Sequence, residues 1–185
     1  MSSSIVKGSL GAMAQASGQS LAQSFISCDV IVLCDTSGSM GTMDSTEGQS
    51  RYDVACRELA TLQSSLPGKI GVISFSARVM FCANGIPFNF KSTTNIAEAL
   101  KFAKVADIPG AMRFILISDG EPDDAKEALK MARIYNNKID CIYVGPKGGN
   151  GREFLERLAA VSGGSFVTAA QAKELAGSVQ KLLVA

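Results

Sequence analysis

The chain has no histidine among its 185 residues. Without imidazole, His-based general acid–base catalysis, Ser–His and Cys–His nucleophiles and most transition-metal sites are removed together. An excess of one charge is also lacking, since 18 Lys and Arg face 17 Asp and Glu for a formal net charge of +1. A generic nucleic-acid binder needs a basic surface to collect phosphates, and here basic residues stand beside acidic ones through the helical segments. No stretch approaches the ~20 apolar residues that cross a bilayer. The first residues are rich in Ser, Gly and Ala and carry one Lys, without the apolar core of a secretory signal. Five cysteines are scattered and odd in number, with no Cys-x-x-Cys pair. They read as buried apolar thiols of a reducing compartment, and the expected location is cytoplasmic.

The composition, 46% hydrophobic and 19% charged, is that of one well-filled α/β domain. The length is too short for two comfortable domains. The chain is organised around Cys28-Asp29-Val30-Ile31-Val32-Leu33-Cys34-Asp35-Thr36-Ser37-Gly38-Ser39-Met40. An apolar run rich in Val and Ile reads as a buried strand of a parallel sheet. Asp35 would then lie at the carboxyl end of that strand, where open α/β sheets hold ligands. Asp35, Ser37 and Ser39 offer only oxygen, which suits a hard cation such as Mg²⁺.

Residues 1–27 form an arm distinct from the domain expected over 28–185. Val6, Leu10, Met13, Leu21 and Phe25 follow a roughly helical spacing, interrupted by Gly8, Gly11 and Gly18. Each glycine costs about 1 kcal/mol inside a helix, so the arm alone should be marginal. Two readings stand for it: a frayed or disordered leader that docks on its own domain, or a helix that orders on a partner or another copy. Beyond the polar loop 41–50, a helix is expected from Arg51 to Pro67-Gly68 and a second strand over Lys69–Phe75. A two-residue connection leads to an antiparallel edge strand, Arg78–Cys82. Thr93-Thr94-Asn95 opens a helix over Ile96–Ala103. Arg113–Asp119 repeats the pattern of a buried strand ending in aspartate. Pro122 is expected at a first helical position, with Asp123 and Asp124 as first-turn acids of a helix running to Tyr135. A fifth strand over Lys138–Val144, a helix over Arg152–Val161, a short strand over Gly163–Val167 and a helix over Ala170–Leu183 complete the chain. The alternation predicts a Rossmann-like doubly wound sheet of five parallel strands and one antiparallel edge strand, with helices on both faces.

Asp35, Thr94 and Asp119 should all emerge on the carboxyl side of that sheet. With Ser37 and Ser39 they supply up to five side-chain oxygens around one crevice, only two of the side chains being charged. A cation held so weakly by anions stays attractive to an acidic oxygen from outside, because its own charge dominates the surroundings.

These residues carry a resemblance. Asp35-Thr36-Ser37-Gly38-Ser39-Met40, Thr94-Asn95-Ile96 and Leu116-Ile117-Ser118-Asp119-Gly120 closely resemble the metal-ion-dependent adhesion site of von Willebrand factor type A domains. The likeness covers residues 28–185, including Ser50-Arg51 at a helix start, Gly71–Phe75, the Gly163-Gly164 turn and a last helix with Glu174-Leu175. It implies the strand order 3-2-1-4-5-6. It also implies Mg²⁺ or Mn²⁺ ligated by Ser37, Ser39 and Thr94 (Thr94 in some members through water), with Asp35 and Asp119 bound directly or through water. The function implied is non-enzymatic, metal-dependent binding of a protein that offers an Asp or Glu. Intracellular members of the family commonly serve in multiprotein assemblies, often beside AAA+-type ATPases. One departure is the glycine that often precedes the threonine, here Ser92-Thr93, so loop geometry is expected to differ more than ligand identity.

Two rival chemistries compete with this reading. A Mg²⁺-dependent phosphatase of the haloacid-dehalogenase type would use Asp35 as nucleophile, but it needs a second carboxylate two residues later, and that position is Ser37. The glycine-rich Gly145–Gly151 segment lacks the Lys and Gly order of a phosphate-binding loop and reads as a mobile surface loop on the metal side.

Overall fold

The structure is a computed structural model that describes residues 5–44, 48–88 and 92–169. Its centre is a six-stranded sheet in the order β3-β2-β1-β4-β5-β6. The strands are β1 (Val30–Asp35), β2 (Ile70–Phe75), β3 (Val79–Phe81), β4 (Arg113–Ser118), β5 (Ile139–Tyr143) and β6 (Phe166–Thr168). All neighbours pair parallel except β2 and β3, which are antiparallel. The expected architecture and edge strand are therefore those observed.

The apolar runs follow from burial on both faces of the sheet. Ile31, Leu33, Ile73, Phe75, Phe114 and Leu116 point into one core. Their neighbours Val30, Val32, Cys34, Val72, Ile115 and Ile117 point into the other. The first core is closed by α4 (Ile96–Ala103), α5 (Ala125–Arg133) and α6 (Gly151–Ser162), the second by α3 (Arg51–Ser65) through Val54, Ala55, Leu59 and Leu62. The chain leaving β1 thus enters a helix on one face, and the chain leaving β4 a helix on the other. Since β1 and β4 are neighbours, their connections part between them, which makes the switch-point crevice of a doubly wound sheet.

Four of the cysteines are buried and all five are free thiols. Burial pushes the Cys28 thiol up to about 11, consistent with packing rather than reactivity.

The arm folds as two helices, α1 (Leu10–Ser17) and α2 (Leu21–Ile26), separated where Gly18 takes a left-handed conformation. It meets the domain at the amino end of the sheet. Val6 and Gly11 donate backbone bonds to the carbonyls of Asn84 and Ala83, and Gly68 donates to Gly8. The glycine at position 8 has φ +84°, and a Cβ there would stand 2.3 Å from the Gln63 carbonyl oxygen. Its absence of a side chain is a condition of close approach, a use of glycine that a helix-propensity argument misses. Leu10 is buried in the first core, and Phe25 stacks edge-on against Phe81 with ring centroids 5.0 Å apart. Under α2 the packing is looser, leaving an apolar cavity of about 360 Å³ lined by Leu21, Phe25, Ile73, Phe81 and Phe102 among others.

Most strand ends shift by a residue, β6 runs over Phe166–Thr168 instead of beginning at Gly163, and the helix after β4 differs from expectation at both ends. The helix after β4 begins at Ala125, not Pro122, because Asp124 is its cap: the Asp124 carboxylate accepts from the Glu127 amide at 2.9 Å. A side-chain acceptor at the cap position outweighs proline's preference for the first turn. That helix ends at Arg133, short of Tyr135, whose hydroxyl instead donates to the Leu100 carbonyl at 2.6 Å. The helix expected over Ala170–Leu183 lies outside the described residues. Among the described residues no helix is long and apolar enough to cross a membrane.

Candidate metal centre

Asp35 closes β1 and is fully buried. Its Oδ1 accepts from the Ser37 amide at 2.8 Å, and its Oδ2 accepts from the Ser118 hydroxyl at 2.6 Å. The Ser118 oxygen in turn accepts from the Gly120 amide at 2.9 Å. The register explains the pairing, because Cys34 lies opposite Ile117 and the next residues are Asp35 and Ser118. Two strand ends are thereby tied through one carboxylate.

Burial is the main influence on Asp35 and raises its carboxyl from the usual 3.8 to about 6; the Ser118 and Ser37 donors oppose this, and the Asp119 charge adds to it. An acid whose folded value lies above its unfolded value holds its proton more firmly in the native state. Its contribution to stability therefore falls as pH rises from about 4 to about 6. In EDTA, wild type should lose roughly 2–3 kcal/mol relative to Asp35→Asn between pH 4 and pH 7. Urea unfolding of both proteins across that range measures it, and a constant difference would contradict it.

Ser37 and Ser39 sit in the turn that follows. Ser37 is buried and Ser39 half-buried, with their hydroxyl oxygens 3.1 Å apart. Although Ser37 precedes the short 3-10 turn Gly38–Gly41, its side chain makes no capping bond there. The Gly38 amide donates to the Ser92 carbonyl at 2.8 Å, joining this turn to the loop that carries Thr94.

Thr94 is buried too, and it does not cap α4. The cap is Asn95, whose side chain accepts from the Glu98 amide at 3.0 Å. Thr94 is instead gripped through its backbone by Asp123: its amide donates to the Asp123 carboxylate at 3.1 Å, and its carbonyl accepts from the Asp123 amide at 3.0 Å. Asp123 is therefore not a first-turn acid of α5. It joins the loop after β4 to the loop before α4.

Asp119 follows β4 and is 1% exposed. Its Oδ2 accepts from Arg51 Nη1 at 2.8 Å, while its Oδ1 is buried without a hydrogen-bond partner. Arg51 also meets both oxygens of Asp44, Nε to Oδ1 at 2.9 Å and Nη2 to Oδ2 at 2.7 Å. This fork holds the Asp44 carboxyl below its usual range. Behind Asp119, the first residue of α6 must be small, since a Cβ on Gly151 would stand 1.9 Å from the Asp119 carbonyl oxygen.

The loop between β5 and α6 folds round Tyr143. The Tyr143 hydroxyl donates to the Pro146 carbonyl at 3.0 Å, and Cβ atoms on Gly145 or Gly149 would stand 2.3 and 2.0 Å from its oxygen. These glycines make room for a tyrosine.

Asp35, Ser37, Ser39, Thr94 and Asp119 are thus carried by three loops hydrogen-bonded to one another at the carboxyl side of the sheet. Sequence reasoning missed Ser118 as a partner of Asp35 and Asp123 as the clamp on Thr94, and it noted Arg51 only as a helix start. The repeated strand-end pattern was a usable signal for Ser118; nothing local marks the other two. Among the described residues no three His, Cys, Asp or Glu side chains converge. The oxygen set of this crevice combines two carboxylates with hydroxyls.

A parallel sheet in this order, with its antiparallel edge strand and helices on both faces, is the fold of von Willebrand factor type A domains. Among solved structures, the chain is similar to the von Willebrand factor type A domain from Catenulispora acidiphila, with a TM-score of 0.62 and 16% identity over 83% of this chain and 42% of that one. It is also similar to the conserved hypothetical protein BatB from Bacteroides thetaiotaomicron, with a TM-score of 0.65 and 20% identity over 85% of this chain and 100% of the other. A third is the TRAP protein of Plasmodium vivax, solved manganese-loaded, with a TM-score of 0.56 and 17% identity over 80% and 71% of the two chains. No family model and no curated protein sequence matches the chain.

Proposed function

We propose that this chain is a non-enzymatic protein-binding module that uses a divalent cation, Mg²⁺ or Mn²⁺, to grip an acidic residue of a partner protein. The observation that carries the reading is the buried, unpartnered Oδ1 of Asp119. A carboxylate oxygen left without a donor away from water costs about 1–3 kcal/mol or more, and a cation removes that cost. The donor set fits a hard ion, since Asp35, Asp119, Ser37, Ser39 and Thr94 offer oxygen alone. Ser37, Ser39 and Thr94 would hold the ion, with Asp35 and Asp119 as its charged partners, direct or through water. The manganese-loaded Plasmodium protein of similar fold supports the choice of metal class. Bound there, the ion would supply an electrophilic position for a carboxylate oxygen from outside.

The chain's own residues prepare that position. Asp123 and the Gly38–Ser92 bond hold the three loops together, and Ser118 fixes the Asp35 carboxylate. In the segment after Asp119, Asp123 holds Thr94 and Asp124 caps α5. The position two residues after Asp35, where the phosphatase-type alternative needs its acid, is Ser37, and that supports binding. The resemblance further implies an assembly of the cell interior, such as one built on an AAA+-type ATPase.

Affinity purification with the tagged protein in Mg²⁺ and in EDTA tests the reading. Partners retained in Mg²⁺ and released by EDTA, with no phosphatase turnover in the same sample, are expected. Steady hydrolysis lost in Asp35→Asn, or an identical partner set in EDTA, would overturn it.

A further inference from the structure

Arg51 sits where the resemblance assigns no role. Its side chain is 11% exposed, and its guanidinium lies between two carboxylates, with a two-point fork on Asp44 and a single bond to Asp119 Oδ2. Arg51 begins α3 directly after the Ser50 cap, so its backbone is set by the capping box formed with Asp53. Held in this way, the guanidinium withholds one Asp119 oxygen and leaves the other, Oδ1, free in the crevice. The arrangement also matters for charge. Asp35 and Asp119 are both buried, and the Arg51 guanidinium opposes the charge of Asp119 at 2.8 Å.

We propose that Arg51 is the resident counter-cation of this site, a positioning residue that balances Asp119 when no ion is bound, restricts Asp119 to one available oxygen, and thereby sets the ion affinity. The inference rests on the cation reading given above. Counting Asp44, which shares the guanidinium, Asp35, Asp44 and Asp119 carry two net negative charges with Arg51 present and three without it, and both Asp119 oxygens become available when it is removed. Like charges in a poorly solvated site repel strongly, so a guanidinium bonded to a ligating carboxylate keeps a divalent cation weakly held and exchangeable. The same link joins the site to the loop that follows the Ser37–Ser39 turn, because the fork on Asp44 is a bidentate, charge-assisted pair of the stronger kind.

The test uses the full chain and Mg²⁺ alone. Calorimetric titration of wild type, Arg51→Gln and Arg51→Lys is compared with urea unfolding of each in EDTA. Arg51→Gln should bind Mg²⁺ at least tenfold more tightly than wild type and unfold at lower urea in EDTA, with the difference shrinking at saturating Mg²⁺. Arg51→Lys keeps the charge and should return the affinity toward wild type. A merely structural arginine gives the opposite sign, an affinity that falls or stays level in Arg51→Gln, and that result would overturn the inference. If Arg51→Gln does not fold, the wild-type protein decides: the Arg51 Nε–H resonance should shift during a Mg²⁺ titration, and an unmoved resonance at saturation sinks the idea. A wild type that binds no Mg²⁺ removes the cation reading itself, whereas a wild type that binds with Arg51→Gln no tighter removes only the role of Arg51.

Discussion

Replacing Ser37 and Ser39 together by alanine should weaken Mg²⁺ binding about 100-fold, roughly 3 kcal/mol, while the protein unfolds cooperatively with its EDTA stability nearly unchanged. The two hydroxyls are unusual in what they do not do. Ser37 precedes a 3-10 turn without capping it, and its hydroxyl lies 3.1 Å from that of Ser39 and reaches the Asp35 carboxylate. The bond that shapes the turn, from the Ser37 amide to Asp35 Oδ1, belongs to the backbone and survives the substitution. A hydroxyl pair of this kind, one buried and one half-buried, contributes modestly to stability, about 1 kcal/mol for a typical net hydrogen bond. Two lost oxygen ligands to a divalent ion are expected to cost considerably more, because water has to take the place of each in the ion's shell. Calorimetry in Mg²⁺ and urea unfolding in EDTA separate these effects. An unchanged Mg²⁺ affinity would sink the ligand assignment, and a collapsed fold would show the serines to be structural.

Removal of residues 1–27 should lower the unfolding free energy by several kcal/mol while leaving Mg²⁺ affinity within twofold. Leu10 alone accounts for much of the loss: it is 2% exposed in the first core, and Leu→Ala at such a position typically costs 2–5 kcal/mol. Three backbone bonds to Gly8, Gly11 and Val6 disappear with it. The first helix of the arm matters more than the second, because α1 packs in close backbone contact whereas α2 covers an apolar cavity of about 360 Å³. Leu10→Ala should therefore destabilise more than Leu21→Ala, since Leu21 is already 44% exposed. The ion affinity is spared because the arm touches Gln63, Pro67, Gly68 and Ala83, all at the amino end of the sheet, and the crevice opens at the carboxyl end. A truncated protein within 1 kcal/mol of wild type, by urea midpoint and slope, would contradict this role for the arm.

Much of the fold was legible because its signals are local. Runs such as Val30-Ile31-Val32-Leu33-Cys34 carry no alternation, which only burial on both faces explains, and that in turn demands crossover helices between parallel strands. Pro67-Gly68 and Pro109-Gly110 mark real interruptions. The errors lay where two local rules compete. Pro122 suits a first helical turn, yet Asp124 offers a side-chain cap two residues later, and the cap decided the boundary. By helix propensity the glycines of the arm are a cost, yet Gly8 is required by the backbone approach to Gln63, a contact between residues far apart in sequence.

The candidate site divides in the same manner. The five oxygen-bearing residues and their expected strand-end placement came from residue type and position alone, because a buried apolar run that stops at an aspartate locates that aspartate at a sheet edge. The sequence by itself also removed histidine chemistry and showed two charged groups among five donors. Only the tertiary structure decided how those groups are held: Ser118 on Asp35 across 83 residues, Arg51 on Asp119 across 68, and Asp123 on Thr94 across 29. Each of these contacts depends on strand register and on which helix follows which strand, quantities set by the packing of both cores at once. That is why donor identity could be read along the chain, while the charge balance that tunes those donors had to wait for the fold.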